Sequence, residues 1–549
     1  MKRKPIIYLA LSISFLIQSC EDFLDQPSQG VQLVENYFQT EEECSRFLAG
    51  CYRGILQYGE WYGPQFFYIL TASATDDAWL SNPTQAQLDY KDFSNFRVSP
   101  SNDYLYPFWE YMYKNIYQCN LAIRELDSSP VKASNPAFIA RLKAEARFIR
   151  AYAHFELAKN FRELPLLLKI HDTEELLEFP LSDQQEVFEQ IVVDMLEAEA
   201  DLPLENDPAD VGRINKGIVW AYLSKAYLYM EEWALAKEYA DRLEEEGGYS
   251  LEPVFGEIWD INNRNGVESI FEIQTAYDPN YAVGNSLPIL TGGRQDHGWY
   301  YGAPTSNLEK QYMELDDSIR LRATIITAHN EGINLADEVG LAHVYGTDGT
   351  SIALSDLTVS KMRDSKSMRI NRKFFILPED RISNYGHDYR NYIPKNHILM
   401  RLAEVKLIRA EAMWHMIYTT GEATFGEDAI RTGDLHDIRN RVGLPDITSS
   451  GDALLLDIYQ EKRLELAMEF KRWDEIRRAK HPADRRPLVY HLMGPGGSFV
   501  SYNLEDNDDW WEIGNSSANR EPSDKGIDFR EGDEWLPIPA HDMSWLNSK

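Results

Sequence analysis

Cysteine is scarce, with four in 549 residues. Cys44 and Cys51 stand seven apart on a stretch that reads as helix. A helical rise sets their Cα atoms roughly 10 Å apart, beyond the reach of a disulfide. With Cys20 set aside, three thiols remain, an odd number, so no disulfide framework is implied and buried free thiols are expected. Positive charge is also short. Lys and Arg number 55 against 88 Asp and Glu, a formal net charge of −33. Neutralising phosphates takes clustered Lys and Arg, so the balance argues against nucleic acid and against polybasic adhesion to anionic lipid. After residue 19 there is no long apolar run, whereas a spanning helix needs about 20 apolar residues. The common catalytic spellings are missing too: no HExxH among the 12 His, no P-loop, no GxGxxG and no G-x-S-x-G. No cofactor, resident metal or catalytic residue is expected.

What is present begins at the N-terminus. Lys2, Arg3 and Lys4 precede an apolar run over 6–17, interrupted only by Ser12 and Ser14, and Ser19 leads into Cys20. A basic head, a short apolar body and a small residue before the cut mark residues 1–19 as an export signal. The cysteine behind it resembles that of a bacterial lipobox, whose sulfur is acylated so that it becomes the first mature residue. Glu21 and Asp22, directly after it, resemble the surface-export signal of Bacteroidota-type lipoproteins. The expectation is a mature chain of residues 20–549, tethered to outer-membrane lipid through Cys20.

The body reads as mostly α-helical. Helical spacing runs over 41–56, Pro107–Leu126, Phe138–Lys159 and Val187–Leu202, the last with Ser182 and Gln185 placed to cap it. Ile214–Tyr229 and Trp233–Glu246 read as a hairpin whose Ala226, Tyr229, Trp233, Ala236 and Ala240 alternate small and large. This looks like a degenerate tetratricopeptide (TPR) pair. Helices return at Ile398–Trp414 and Asp452–Ala479. Their Arg463, Arg472, Arg477 and Arg478, with Glu461, Glu465, Glu469 and Glu475, read as helix-surface ion pairs. The fold class is therefore TPR-like helical pairs, within about 107–246 and 398–479, with a large loop-rich region containing short strands. The irregular stretches are about 60–105 and 247–397, where 267–273 reads as a strand, and the tail 480–549 is loop-rich.

Several segments together resemble the SusD/RagB family of outer-membrane nutrient-binding lipoproteins. They are Cys20-Glu-Asp-Phe-Leu-Asp25, Ser73-Ala-Thr-Asp-Asp-Ala78, Phe108-Trp109 through Asn120-Leu-Ala-Ile123, and Arg147-Phe-Ile-Arg-Ala-Tyr152. Two further segments match best: 401–411, from Arg401-Leu-Ala-Glu to Arg-Ala-Glu411, and 461–477, from Glu461-Lys-Arg to Ile-Arg477. Trp535-Leu-Pro-Ile-Pro539 resembles the closing motif, although the usual Asn-Pro-rich ending is replaced by 541–549. The resemblance implies a cell-surface lipoprotein that captures glycan and delivers it to a SusC-like TonB-dependent barrel transporter. In the RagB branch the ligand is peptide. A secreted glycan-cleaving enzyme and an envelope TPR scaffold are the rivals of other classes.

Sugar recognition uses flat aromatic faces for C–H stacking and amides or Arg for hydroxyls. Loops that set Trp and Tyr beside such groups are the candidates: Trp61 and Tyr62; Trp79 with Asn82 and Gln85; and Tyr281 through Arg294 to Trp299, Tyr300 and Tyr301. Trp79 and the 299–301 cluster are expected to form one exposed platform. The competing reading of each aromatic is a loop anchor that packs on the core. Trp510 and Trp511, beside the acidic run 505–509, are a weaker candidate. That run lacks EF-hand spacing and reads as a solvated loop rather than a calcium site. Asp76 and Asp77 are the one carboxylate pair to weigh as glycosidase groups. Being adjacent in sequence, they are poorly placed to flank a sugar.

Overall fold

The computed structural model describes residues 37–56, 64–80, 88–177, 179–278, 283–292, 298–327, 341–345, 351–358, 367, 369–376, 393–505 and 525–541. Residues 1–36, with the leader and Cys20, lie outside them.

Its frame is a run of helices that pack mostly in the order of the chain. Helix α1 (Glu41–Leu56) lies on α2 (Leu105–Ser128), α2 on α3 (Pro136–Ala158), α3 on α4 (Gln184–Asp201), α4 on α5 (Lys216–Tyr229) and α5 on α6 (Trp233–Glu246). The chain then leaves the stack and returns with α7 (Leu402–His415), which packs on α6 and on α8 (Asp452–Glu465). Helix α9 (Arg472–Arg478) follows. The starts are set by short polar side chains that accept from otherwise unpaired backbone N–H groups. Asn135 accepts from Phe138 N, Asp183 from Glu186 N and Asn215 from Ile218 N. The cap of α4 is thus Asp183, one residue past the expected Ser182.

Small residues let the helices approach. A Cβ on Gly54 of α1 would fall 2.1 Å from Asn115 Oδ1 of α2, so only glycine fits there. In the α5–α6 hairpin, Ser224 Oγ donates to Ala236 O at 2.7 Å, and Ala226, Ala236 and Ala240 are buried beside Trp233. The small-large alternation does mark close packing. The cysteines Cys44, Cys51 and Cys119 are free and buried.

The strands are short and pair only in twos among the described residues. Strand β1 (Ala78–Trp79) pairs with β3 (Ala303–Pro304), and β2 (Ser269–Ile273) with β4 (His397–Arg401), both antiparallel. Here the structure corrects two helix boundaries. Residues 397–401 are strand, and α7 starts only at Leu402, whose N–H donates to Glu268 O. The run Ile398-Leu399-Met400 is apolar at every position, and such a run does not distinguish strand from buried helix. The expected helix 452–479 is two helices. Between them Met468 and Phe470 take left-handed φ of 62°, which turns the chain so that α9 leaves in a new direction.

The larger correction concerns charge. Glu461, Arg463 and Glu465 of α8 and Arg477 of α9 are buried, and Arg472, Glu475 and Arg478 of α9 are partly buried. Arg401 donates to Glu268 (2.7 Å), Glu465 (2.6 Å) and Glu469 (2.8 Å) while only 1% exposed. Arg320 donates to Asp317, Glu461 and Glu465. Arg439 and Arg441 close the network on Glu461, Glu268 and Glu465. A buried charge is tolerable only when paired and hydrogen-bonded. Glu465 meets this condition. Although its burial acts in the opposite sense, Arg441, Arg401 and Arg320 hold its carboxyl below the usual range.

Candidate ligand-binding face

The candidate aromatics are distributed unequally. Trp61, Tyr62, Asn82, Gln85, Tyr281, Arg294, Trp510 and Trp511 lie outside the described residues, as does the acidic run after Glu505. Trp79, Trp299, Tyr300 and Tyr301 are described.

The structure joins the stretches that carry them but sorts the rings into two clusters, Trp79 with Phe499 and Tyr301 with Phe66 and Trp299. Trp79 sits on β1 opposite Ala303 of β3, so the two sequence-distant stretches meet edge to edge. Backbone bonds fix the second one: Trp299 N donates to Ile289 O, Tyr300 N to Gly292 O and Tyr301 N to Leu290 O. Tyr300 (φ 56°) and Gly302 (φ 65°) are both left-handed, which aims Tyr301 inward between them. Tyr301 meets Phe66 edge-on at 5.3 Å and lies parallel to Trp299 at 6.2 Å. Trp79 packs on Phe499, and Lys525 Nζ lies 4.8 Å from its ring centre while donating to Ala78 O.

The expected exposed platform is therefore not what these residues build. Trp79, Tyr300 and Tyr301 are 3%, 1% and 2% exposed, and Trp299 is half-buried against the core. Ring burial is worth more than exposure wherever core is within reach, and a paired strand supplies that reach. They are anchors. What they anchor is the roots of the other candidate stretches. Pro64–Phe66 follows Trp61 and Tyr62, Leu80 precedes Asn82 and Gln85, and Gly292 and Gly298 bracket Arg294. Of these, Phe66 touches Tyr301, Gly292 O accepts from Tyr300 N, and Leu80 directly follows β1.

Beneath this junction lies a support that the helix-surface reading missed. Asp76 accepts a bidentate pair from Arg472 (Nε and Nη2, each 2.9 Å) and a further contact from Arg463 at 3.1 Å. Asp77 accepts from Arg463 Nε at 2.7 Å. Thr305 ties the two segments together. Its Oγ1 accepts from Leu308 N at the start of helix Ser306–Glu314 and donates to Asp76 O, while its N–H donates to Asp77 O. Burial disfavours both charges. Arg463 and Arg472 outweigh it at Asp76, which sits below the ordinary carboxylate range, whereas at Asp77 burial and the neighbouring Asp76 prevail and its value is raised. Asp76 is 0% and Asp77 3% exposed, so neither faces a cleft as a glycosidase carboxylate must. A Ser-Ala-Thr-Asp-Asp spelling beside distant arginines gave no local sign of this contact.

Among the described residues, two side-chain groups have the donor types of a metal centre. Glu244, Asp434 and Asp437 converge, but Lys406 already lies among them. His481, Asp484 and His491 also converge. There the two imidazoles are stacked at 4.0 Å and 23°, so an ion in the plane of one ring lies outside that of the other. Among the described residues no helix is long and apolar enough to cross a membrane.

Comparison with known proteins agrees with this architecture. A family model described as the SusD family matches residues 236–546, and one described as starch-binding associating with outer membrane matches 22–228. A SusD-like protein P2 of Formosa agariphila is 24% identical, over 93% of this chain and 96% of its own. A SusD-like protein of Bacteroides ovatus is 23% identical, over 98% and 92%. Among solved structures, a laminarin-binding SusD-like protein superposes with a TM-score of 0.70 at 22% identity, covering 92% of this chain and 98% of that one. Surface glycan-binding protein A of Bacteroides thetaiotaomicron, in complex with laminarihexaose, gives 0.67 at 18%, with the same coverage.

Proposed function

The chain belongs to the SusD family, and from that premise we propose that it is a cell-surface lipoprotein that captures glycan and passes it to a SusC-like TonB-dependent outer-membrane transporter. The observation that carries the reading is the family match over 236–546, joined by the starch-binding model over 22–228. Two structural neighbours are described with a glucan ligand, laminarin in one and laminarihexaose in the other, and glycan is accordingly the ligand class assigned here.

The geometry suits capture. Buried Trp79, Tyr300 and Tyr301 anchor described segments that neighbour Trp61, Tyr62, Asn82, Gln85 and Arg294 in the chain. Trp299, half-buried at the edge of the cluster, is the described aromatic left to meet a sugar face. Acylated Cys20 supplies the membrane tether. Capture breaks no bond, and the pair weighed as glycosidase groups, Asp76 and Asp77, is consumed in ion pairs with Arg463 and Arg472.

One observation favours a second reading. A peptide ligand bound through main-chain contacts would leave the aromatics as packing residues, and Trp79, Tyr300 and Tyr301 are packed. The test of both is one titration series of the mature chain with laminarin, other neutral glycans and mixed peptides, with new reducing ends assayed in parallel. Saturable glycan binding without cleavage supports the proposal. Binding of peptides alone, or cleavage, overturns it. Release of a Cys20→Ala variant from membranes tests the anchor.

A further inference from the structure

A cavity of about 220 Å³ opens between the α5–α6 turn and the hairpin at 480–487. It is far larger than the ~10–15 Å³ that holds one water. The hairpin is tied by a Lys480–Pro487 bridge and by His481 N donating to Arg486 O at 2.8 Å. Tyr229, Trp233 and Trp535 give the cavity flat walls, and Arg477, Lys480 and Arg485 bring positive charge. None of its lining comes from the segments that carry Trp79 or Trp299.

Its charge runs against the rest of the chain. In a protein of net charge −33, the lining holds two lysines and three arginines against Glu231, Glu411 and Asp474. Most of these are matched: Lys159 by Asp474 and Glu156, Arg478 by Glu411 and Glu475, Lys480 by Glu231. Two are not. Arg477 donates mainly to neutral oxygens, Trp473 O, Glu534 O and Asn160 Oδ1, with Asp474 at 3.5 Å. Arg485 is exposed and, among the described residues, has no carboxylate partner. One titrating group registers the nearby arginines, and a second registers burial alone. Burial pushes His415 down to about 4, with Arg485 and Arg478 adding to it against Glu411, and Arg477 is itself held below its ordinary value by burial.

We propose that this cavity binds an anionic sugar unit, a single ring bearing carboxylate or sulfate. The charge lies on Arg485 and Arg477 and the ring lies against Tyr229 and Trp535. Arginine is suited to such groups because its planar fork donates two parallel bonds. Aromatic walls select a ring over a bare ion. A neutral sugar leaves Arg485 without a carboxylate partner, and a bare anion leaves the walls unfilled. The proposal goes beyond the capture of glycan at the aromatic face and does not rest on it.

The test is calorimetry, with tryptophan fluorescence, on the mature chain against glucuronate, glucose 6-sulfate, glucose and acetate. At least one anionic sugar is expected to bind saturably, about tenfold or more tighter than glucose or acetate, and whichever binds names the anion. Arg485→Gln should weaken it about tenfold, the loss of one bond to a charged group, without moving the melting temperature, because Arg485 is exposed and unpaired. Laminarin binding, probed on the same variant, should not change, so the two proposals fail separately. No saturation by either anionic sugar at millimolar concentration, acetate binding as tightly as either, or unaltered affinity in Arg485→Gln overturns the inference.

Discussion

Helix α1 and the α8–α9 pair are spelled with the same alphabet of charge, and only one of them wears it outside. Glu42 and Arg46 pair across one turn of α1 with side chains 73% and 68% exposed. Glu461, Glu465 and Arg463 stand at equally helical spacings and are buried, with partners drawn from Asp76, Asp77, Arg320, Arg401, Arg439 and Arg441. Local spacing states which residues share a helix face. Which way that face points is decided by segments tens to hundreds of positions away. In one region ion pairs decorate a fold held by apolar interdigitation, and in the other they are part of what holds the pieces in register.

The comparison breaks most sharply at Arg401. Arg401→Met leaves Glu268, Glu465 and Glu469 facing one another without their shared cation. Removing one partner of a buried pair costs about 3–5 kcal/mol, read by denaturant unfolding. Glu469 still accepts from Lys373 at 2.8 Å, so a second change, Glu469→Leu, should deepen the loss by leaving that buried lysine without its carboxylate. A cost under about 1 kcal/mol for Arg401→Met would mean that the network is not structural.

Trp79 and Trp299 sharpen the same contrast between appearance and burial. Trp79→Ala empties a site between Phe499 and Lys525 and should cost about 3 kcal/mol or more. Trp299→Ala, at a half-buried position, should cost about 1 kcal/mol and show its effect in glycan affinity instead. Equal melting temperatures for wild type and Trp79→Ala would put that ring back on the surface.

The helical frame was legible because its signals are local. Apolar periodicity and the alternation around Ala226 and Trp233 lie within single segments, and α2 to α6 follow them to within two or three residues. The strand at His397–Arg401 was not, because only pairing with Ser269–Ile273 distinguishes it from the start of a helix. The expectation that Trp79 and Trp299–Tyr301 share one exposed platform rested on residue type alone, and only the backbone pairing of Trp79 with Ala303 joins the two stretches. Their burial was not legible, since it depends on the β1–β3 pairing and on Phe66, Phe499 and Lys525 arriving from elsewhere. The cavity at Arg485 left no trace in sequence. Its walls come from six segments, and no motif joins them.

Acid should act through buried groups that lie in neither α1 nor the α8–α9 pair. His154 on α3 and His397 on β4 are each pushed down to about 3, burial being the largest cause, from an ordinary value of 6.5. Both are neutral when folded and take up protons on unfolding. The stability they contribute is therefore whole above pH 6.5 and is lost as pH falls from there towards 3. Each adds a slope approaching ~1.4 kcal/mol per pH unit in that window. Glu404, held at about 2 despite its burial by Lys225 and Lys471, adds its own loss between 4.5 and 2. A His397→Gln variant should show a flatter dependence of stability on pH between 6.5 and 4, measured by thermal melts in buffers of equal ionic strength. An unchanged slope would remove His397 from the account.

The smallest effect belongs to the exposed side of the comparison. Arg46 Nη2 lies 2.5 Å from Glu42 Oε1, as short as many contacts in the buried network. Distance does not set its worth. Water screens both groups, and holding two long side chains in one geometry costs entropy, so such pairs contribute about 0.3–0.5 kcal/mol. Arg46→Ala removes that contribution and replaces arginine with a slightly better helix former, which offsets part of it. Unfolding of Arg46→Ala should therefore differ from wild type by no more than about 0.5 kcal/mol in either direction, and added salt should shrink the difference further. A loss of 2 kcal/mol or more would show that α1 draws on its surface charge as α8 draws on its interior charge, and the distinction between the two regions would fail.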